Sequence, residues 1–333
     1  MGSRPALLLS PTVDAGLLVQ PELEAVEALI RESVRSEEPL LTEIAEYVIA
    51  AGGKRLRPMV LLLAFRAVGG RDPDEAVRMA AALEMIHSAT LLHDDINDGG
   101  VTRRGQLAAF RRYGLLNALV TGDFLFVKSF ALGGKFPPEV VDLTASVATS
   151  LAEGEIRQRR LAGNVSATLE DYFDVVRRKT ALPLSLGARL GALLAHGDEA
   201  ARLACTHYGL SLGIAFQIVD DILDVIGKEE ILGKRVGSDV WEGNVTLPAI
   251  HALNDGVKIN PALLARILRK KRKTDADVRQ ALEMIRASGA VDQAREDARR
   301  HAAEAKAALA PIPDTPFREA LRTLADFVVT RSW

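Results

Sequence analysis

The sequence predicts an all-α fold in a single domain. Apolar residues recur at spacings of three and four almost throughout, as at Leu23, Val26, Leu29, Ile30 and Val34, whereas runs alternating apolar with polar residues are scarce. The breaks between these periodic stretches are short and built from glycine and proline. No interdomain linker, tandem repeat or low-complexity tract divides the chain.

Each element follows from this punctuation. Helices are expected over 21–35 and 38–51, the second ended by Gly52-Gly53; over 56–69, ended by Gly69-Gly70 with Pro73 beyond; and over 74–98, ended by Gly99-Gly100. Helices over 115–132 and 138–162 are separated by Gly133-Gly134 and Pro137-Pro138. The stretches 168–194, which Pro183 is expected to kink, and 198–227 follow. The remaining helices fall at 244–255, 261–272, 275–288, 291–309 and 316–330, the last preceded by Pro311 and Pro313. Residues 1–20 read as a flexible leader and 21–333 as the domain. The densest charge run, Arg269 to Lys273, reads as a solvated helix end whose cations complement the macrodipole.

Bulk properties narrow the function. At 333 residues and 48% hydrophobic content the chain can bury a sizeable core. Its 42 basic and 44 acidic residues nearly cancel, which removes the broad basic surface that nucleic acid or an anionic membrane would attract. Any cationic site must be local. Cys205 is the only cysteine, so there is no intramolecular disulfide and no cysteine-based zinc site; a reducing, cytoplasmic setting is expected. The apolar stretch Ala6 to Leu9 lacks the flanks of a signal peptide, and Ala6 stands where a myristoylation signal needs Ser or Thr. The run Met59 to Phe65 is far below the roughly 20 residues that cross a bilayer, so no stable membrane insertion is expected.

Two aspartate clusters call for chemistry. His93-Asp94-Asp95-Ile96-Asn97-Asp98 closes a largely apolar helix, and acidic residues at a helix C-terminus oppose its dipole. Asp94 and Asp98, four apart, share one helical face and can grip a hard cation together; Asp95 is rotated by about 100°. Asp220-Asp221-Ile222-Leu223-Asp224 repeats the spacing. Two such helices facing one another can hold several Mg²⁺ ions, and Mg²⁺ prefers a few carboxylates completed by water and phosphate over an all-protein cage. The pair of clusters therefore predicts a diphosphate ligand.

Short basic motifs can complete such a site. Gly52-Gly53-Lys54-Arg55-Leu56-Arg57-Pro58 places Lys54 and Arg57 three apart beside a glycine turn. Thr102-Arg103-Arg104-Gly105 follows the first aspartate cluster, and Arg178-Lys179-Thr180 adds an ammonium and a hydroxyl from another helix.

Together these segments resemble the trans-isoprenyl diphosphate synthase family, the polyprenyl synthetases, over about residues 45–255. The resemblance is carried by Gly52 to Pro58, His87 to Asp98 with Thr102 to Gly105, Gly122 to Phe126, Ala152 to Glu155, Arg178 to Thr180, Phe216 to Asp224 and Gly233 to Pro248. It implies a helical bundle around a central cavity and a Mg²⁺-dependent condensation of isopentenyl diphosphate with an allylic diphosphate. Lys54, Arg57, His87 and Arg104 would hold isopentenyl diphosphate without metal. Asp94, Asp98 and Asp220 would ligate three Mg²⁺ ions on the allylic diphosphate, with Mn²⁺ an alternative, and Asp95, Asp221 and Asp224 would support them directly or through water. Arg103, Lys179 and Lys234 would neutralise that diphosphate, while Thr180 and Gln217 would lie beside the reacting carbons. The family also implies a homodimer. One position departs from the pattern: Asn244 stands where the family often has lysine, and an amide brings no charge.

For product length, the resemblance directs attention to the helix wall beneath the first aspartates. Ala89, five residues before Asp94, lies about 7.5 Å down that helix by rise. Small Ala89 beside Ser88 leaves the way open toward Met85, Ile86 and the Phe124 to Leu132 segment, which favours geranylgeranyl diphosphate or longer. Two other readings share features of the sequence. A class I terpene cyclase uses one such aspartate cluster but not two, and a non-catalytic subunit of a heteromeric synthase would be free to lose metal ligands that are intact here.

Overall fold

The expected periodicity closes into a helical bundle in the computed structural model, which describes residues 15–53, 55–227, 236–255 and 258–330. The first half contains α1 (Gln20–Ser33), α2 (Pro39–Ala50), α3 (Leu56–Ala67) and the long α4 (Asp74–Asp98), which ends at Gly99 in a left-handed conformation. A two-stranded antiparallel hairpin, β1 (Thr102–Arg103) and β2 (Gln106–Leu107), follows and sets Arg103 opposite Gln106. After the short α5 (Ala109–Tyr113) come α6 (Leu115–Gly133) and α7 (Pro138–Leu161).

The stretch 168–194 is continuous but not uniformly α-helical. It comprises α8 (Leu169–Val176), a π-helical turn over Arg177–Ala181 and α9 (Leu182–Leu194). Pro183 has no N–H for the normal ladder, and the Leu182 N–H reaches back five residues to the Arg177 carbonyl. The kink expected from Pro183 is thus a widened turn, and that turn carries Lys179 and Thr180.

Next come α10 (Glu199–Ile226), a short α11 (Ser238–Glu242) that periodicity did not reveal, and α12 (Leu247–Asn254). The last of these starts later than the expected residue 244. The Asn244 N–H is instead bound to the Asp239 carbonyl at 2.8 Å. The chain ends in α13 (Pro261–Leu268), α14 (Asp275–Ser288), α15 (Ala290–Ala308) and α16 (Pro316–Thr330). The basic run precedes α14 as expected, with Lys270 bound to Asp277, the N3 residue of a Thr274 capping box.

Two apolar cores hold the bundle. The larger gathers Leu61, Leu62, Leu63, Met79, Leu190 and Tyr208; the smaller gathers Ile218, Ile222, Leu247, Leu264 and Val291. Helix α10 spans both, with Leu212 and Ala215 in the first and Ile218 and Ile222 in the second. This fixes the rotation of its aspartate-bearing turns. Ala15 and Val19 are buried in the larger core, so packing begins upstream of residue 21, where the domain was expected to start; two apolar side chains at helical spacing are enough to anchor that segment. Cys205 is buried, which pushes its thiol up to about 12.

Helix α6 packs on α4, where a side chain on Gly122 would collide with His93 and one on Gly133 would touch Ala82. Its other face exposes Leu116, Val120, Val127 and Phe130. By length and composition alone, α6 is apolar enough to cross a membrane.

Candidate active site

The aspartate clusters and the basic motifs converge on one cavity of about 730 Å³. Its wall includes Asp94 from α4, Asp220 from α10, Arg103 and Arg104 from the hairpin, Lys179 and Thr180 from the π-turn, and Arg57 from the first turn of α3. Two of the expected cations, Lys54 and Lys234, lie outside the described residues.

Within each cluster the aspartates divide by partner. Asp95 is buried and accepts from Arg103 Nε at 2.7 Å. Asp221 is buried and accepts from the Tyr172 hydroxyl at 2.7 Å and from Gln217 Nε2 at 2.8 Å. Asp224 accepts from Ser238 Oγ at 2.7 Å and from the backbone N–H groups of Ser238 and Asp239, so it anchors the start of α11. These three, expected as direct or water-mediated metal supporters, are occupied in the structure with aligning neighbours. Helical rotation explains this for Asp95 and Asp221, because residues one position from the cavity face meet adjacent elements instead; Asp224 shares the stripe of Asp220 and is taken up by the start of α11. Burial also pushes the Asp221 carboxyl up to about 7.

Asp94 and Asp98 differ. Neither accepts a hydrogen bond or ion pair from a described residue. Burial pushes the Asp94 carboxyl up to about 6, with the charges of Glu155 and Asp98 adding to the shift and Lys179 opposing it. Asp98 is raised for the same kind of reason, by burial and then by Glu155. Carboxylates crowded together without proton donors form a donor set that a hard dication relieves. Among the described residues no group of three or more acidic, histidine or cysteine side chains could hold an ion.

Facing these aspartates, Lys179 is paired with Glu155 and donates to Gln158 Oε1 at 2.7 Å. The Thr180 hydroxyl donates to Gln217 Oε1 at 2.7 Å, which links the π-turn to α10 and, through Asp221, to Tyr172. The helices meet closely there: a Cβ on Gly213 would lie 2.5 Å from the Ala181 Cα. Glu155, Gln158 and Tyr172 were not assigned roles by sequence. Glu155 belongs to the quoted Ala152 to Glu155 motif, and Gln158 follows at helical spacing, so a signal was present for the pair; Tyr172 had none. Asn244 donates to Glu242 Oε2 at 2.8 Å, turned toward acidic neighbours, and lines a smaller cavity of about 160 Å³ behind Lys179 and Gln217.

At the other end of the main cavity, Arg57, His87 and Arg104 surround the buried Glu84. Burial and the nearby arginine charges hold the His87 imidazole well below its usual range, so it is a neutral hydrogen-bonding group. Burial lowers the Arg57 guanidinium's pKa against the pull of Glu84.

The residues named for product length are not on the walls of the two cavities described here. On α4 the cavity faces Leu91, Thr90, His87 and Glu84, and a narrow apolar cavity of about 30 Å³ continues past Leu83 and Ile86 to Val147, Ala148 and Leu186. Met85, Ser88 and Ala89 are buried but line neither cavity. Ala89 shares its helical stripe with Ala82 and His93, both of which meet α6, so rotation turns it toward that helix.

Comparison with known proteins agrees with this geometry. The family model for polyprenyl synthetase matches residues 38–285. The chain belongs to the polyprenyl synthetase family. Octaprenyl diphosphate synthase from Escherichia coli (strain K12) is 35% identical over 315 residues, covering 94% of this chain and 97% of the relative. A polyprenyl synthase from Caulobacter crescentus CB15, crystallised with calcium and isoprenyl diphosphate, matches at a TM-score of 0.93 and 38% identity, with 97% of this chain and 98% of that one covered. Geranylgeranyl pyrophosphate synthetase from Pyrococcus horikoshii Ot3 matches at a TM-score of 0.87 and 33% identity, over 96% and 99% of the two chains. This polyprenyl synthetase is a trans-prenyltransferase that condenses isopentenyl diphosphate with an allylic diphosphate. The relatives make products of different lengths, so family membership leaves product length open.

Proposed function

We propose that the cavity performs Mg²⁺-dependent chain elongation to geranylgeranyl diphosphate or a longer all-trans product, in a cytoplasmic homodimer. The observation that carries this reading is the joint presence of Asp94, Asp220, Lys179, Arg57 and Arg104 on the wall of one cavity.

Asp94, Asp98 and Asp220 would hold Mg²⁺, or Mn²⁺ in its place, with three ions present when substrate is bound. Bound metal supplies Lewis-acid stabilisation to the departing pyrophosphate. Lys179 and Arg103 add fixed positive charge to the same end of the cavity, and Lys234 is assigned there from sequence. Charge stabilisation of the leaving group lets the allylic C–O bond ionise. The Thr180 hydroxyl and the Gln217 amide line the cavity as dipoles for the resulting carbocation. Arg57 and Arg104 fix the diphosphate of isopentenyl diphosphate, neutral His87 contributes hydrogen bonding, and Lys54 is assigned there from sequence. The double bond is thereby held for attack on the cation. Proton loss, with pyrophosphate as the acceptor, completes the longer allylic product.

The growing tail has an apolar exit past Leu83, Ile86, Val147 and Ala148. Its narrowness requires side chains to part as the tail enters. The deciding experiment incubates the enzyme and Mg²⁺ with labelled isopentenyl diphosphate and dimethylallyl, geranyl or farnesyl diphosphate separately, then sizes the products. Mg²⁺-dependent all-trans products of geranylgeranyl length or longer are expected. A cyclised hydrocarbon, or no elongation from any primer, would overturn the reading; a product stopping at farnesyl would overturn its length assignment.

A further inference from the structure

We propose that Arg55 and Glu84 form a clamp at the edge of the main cavity that positions the metal-free diphosphate site, acting through Arg57 and Arg104 to set how tightly isopentenyl diphosphate is held. This rests on the assignment of Arg57, His87 and Arg104 to that substrate.

Arg55 stands in the most basic part of the Gly52 to Pro58 motif, where sequence alone would offer its charge to a phosphate. Each of its three guanidinium nitrogens already has a protein partner. Nε pairs with Glu27 of α1, Nη1 donates to Glu84 Oε1 at 2.9 Å, and Nη2 donates to the Ile49 carbonyl of α2 at 2.9 Å. One side chain therefore ties α1, α2 and α4 to the residue that caps α3.

The backbone explains why such a tie is needed. Arg55 has φ 46° and ψ 39°, a left-handed conformation that residues with side chains adopt rarely and at a cost. It persists where surrounding contacts over-determine it. Arg57 follows two residues later on the first turn of α3, so the direction of its guanidinium depends on how Arg55 is held. Arg104 also has positive φ, 52°, and packs on the same loop: a Cβ on Gly53 would lie 2.8 Å from Arg104 Nη1. Glycine at 53 is what lets the two cationic segments touch.

Glu84 is the electrostatic centre of this arrangement. It is only 3% exposed and stands one helical turn before His87. Its carboxylate binds Arg55, and its charge acts on Arg57 and Arg104 as well. Like charges brought this close repel strongly in a partly desolvated pocket. One carboxylate among the three guanidiniums relieves that repulsion and still leaves positive charge for a diphosphate, without a metal. The arrangement preorganises the binding groups before substrate arrives.

The test uses the full-length enzyme with Mg²⁺, varying isopentenyl diphosphate and the allylic primer separately. Glu84→Gln keeps the shape and removes the charge, and it is expected to raise KM for isopentenyl diphosphate roughly 10- to 30-fold while allylic KM and kcat stay within about threefold. Glu84→Asp should recover part of the loss. Arg55→Lys should act in the same direction as Glu84→Gln, and the double variant should be little worse than either single one, because each breaks the same clamp. Thermal melting of each variant separates lost folding from weakened binding. A Glu84→Gln enzyme whose KM for isopentenyl diphosphate stays within about twofold of wild type, whatever its melting temperature, would overturn the clamp, as would multiplicative effects in the double variant. Arg57→Ala distinguishes the two levels of the argument. If it raises that KM and Glu84→Gln does not, only the clamp fails. If Arg57→Ala itself has no effect, the metal-free site is misplaced and the clamp falls with it.

Discussion

Asp94 shows how a single residue trades stability for chemistry. Its carboxyl, at 3.8 in an unfolded chain, is pushed up to about 6 in the folded protein by burial, with the charges of Glu155 and Asp98 adding to it. A raised folded value means that the ionised group weakens the fold. The penalty is absent below about pH 3, grows as pH rises through 4 to 6, and is complete above about pH 6 to 7. Asp94→Asn should therefore stabilise the metal-free protein at pH 7.5 by about 1–2 kcal/mol, allowing for partial solvent access, and by no more than about a few tenths of a kcal/mol at pH 4. Thermal melting in chelator checks this, and an Asn variant less stable than wild type at pH 7.5 would refute it. The same variant should lose the stabilisation that Mg²⁺ and a diphosphate analogue confer together. Spacing made Asp94, Asp98 and Asp220 legible because it fixes which carboxylates share a helical face. It could not reveal that Asp221 is satisfied by Tyr172, 49 residues away, or that Asp224 caps a separate helix. Partners from distant segments leave no local pattern. Asn244 was legible as a missing charge, but not as an amide turned to Glu242.

At the scale of elements, the helix limits of α4, α14 and α16 were readable because caps, glycines and prolines mark them in the chain itself. The π-turn was not, since Pro183 removes a hydrogen bond without dictating whether the helix kinks or widens. Periodicity likewise divides a helix into faces but does not say which neighbour each face meets. That is why Ala89 looked open by its size, yet turns toward α6 while Leu83, Ile86 and His87 face the cavities. The apolar path proposed for the tail runs between α4, α7 and α9, where Ala148 is a small side chain on the wall. Ala148→Phe should shorten the product by one or more isoprene units and leave the first condensation rate within about threefold, because the metal and diphosphate groups are untouched. Product sizing by reversed-phase chromatography tests it. An unchanged length distribution from a folded variant would move the tail off this wall.

At the scale of the whole molecule, α6 is the element that the single chain leaves incomplete. Its inner face is closed against α4, yet only 28% of its apolar stretch is buried. Leu116, Val120, Val127 and Phe130 recur at helical spacing on the outer face, and Ile156 of α7 is exposed as well. Such an apolar row, broken by Asp123, is more than scattered exposure explains. A bilayer is a poor occupant. Asp123 and Lys128 sit within the same helix, and each would cost about 2.5–3.5 kcal/mol near a membrane centre. A second copy suits it better, because a two-fold axis sets the same stripe against itself and a protein interface, unlike a bilayer centre, can keep water or a polar partner on Asp123. Leu116→Glu with Val127→Glu would force two charges from each chain into that contact, and dimer dissociation should strengthen by at least about 100-fold in Kd. Light scattering after size exclusion should then give a dimer for wild type and a monomer for the variant at micromolar concentration, with neither floating on anionic vesicles. A monomeric wild type, or a variant that stays dimeric, would place the subunit contact on another face; vesicle binding lost only in the variant would mean that α6 covers itself with lipid after all.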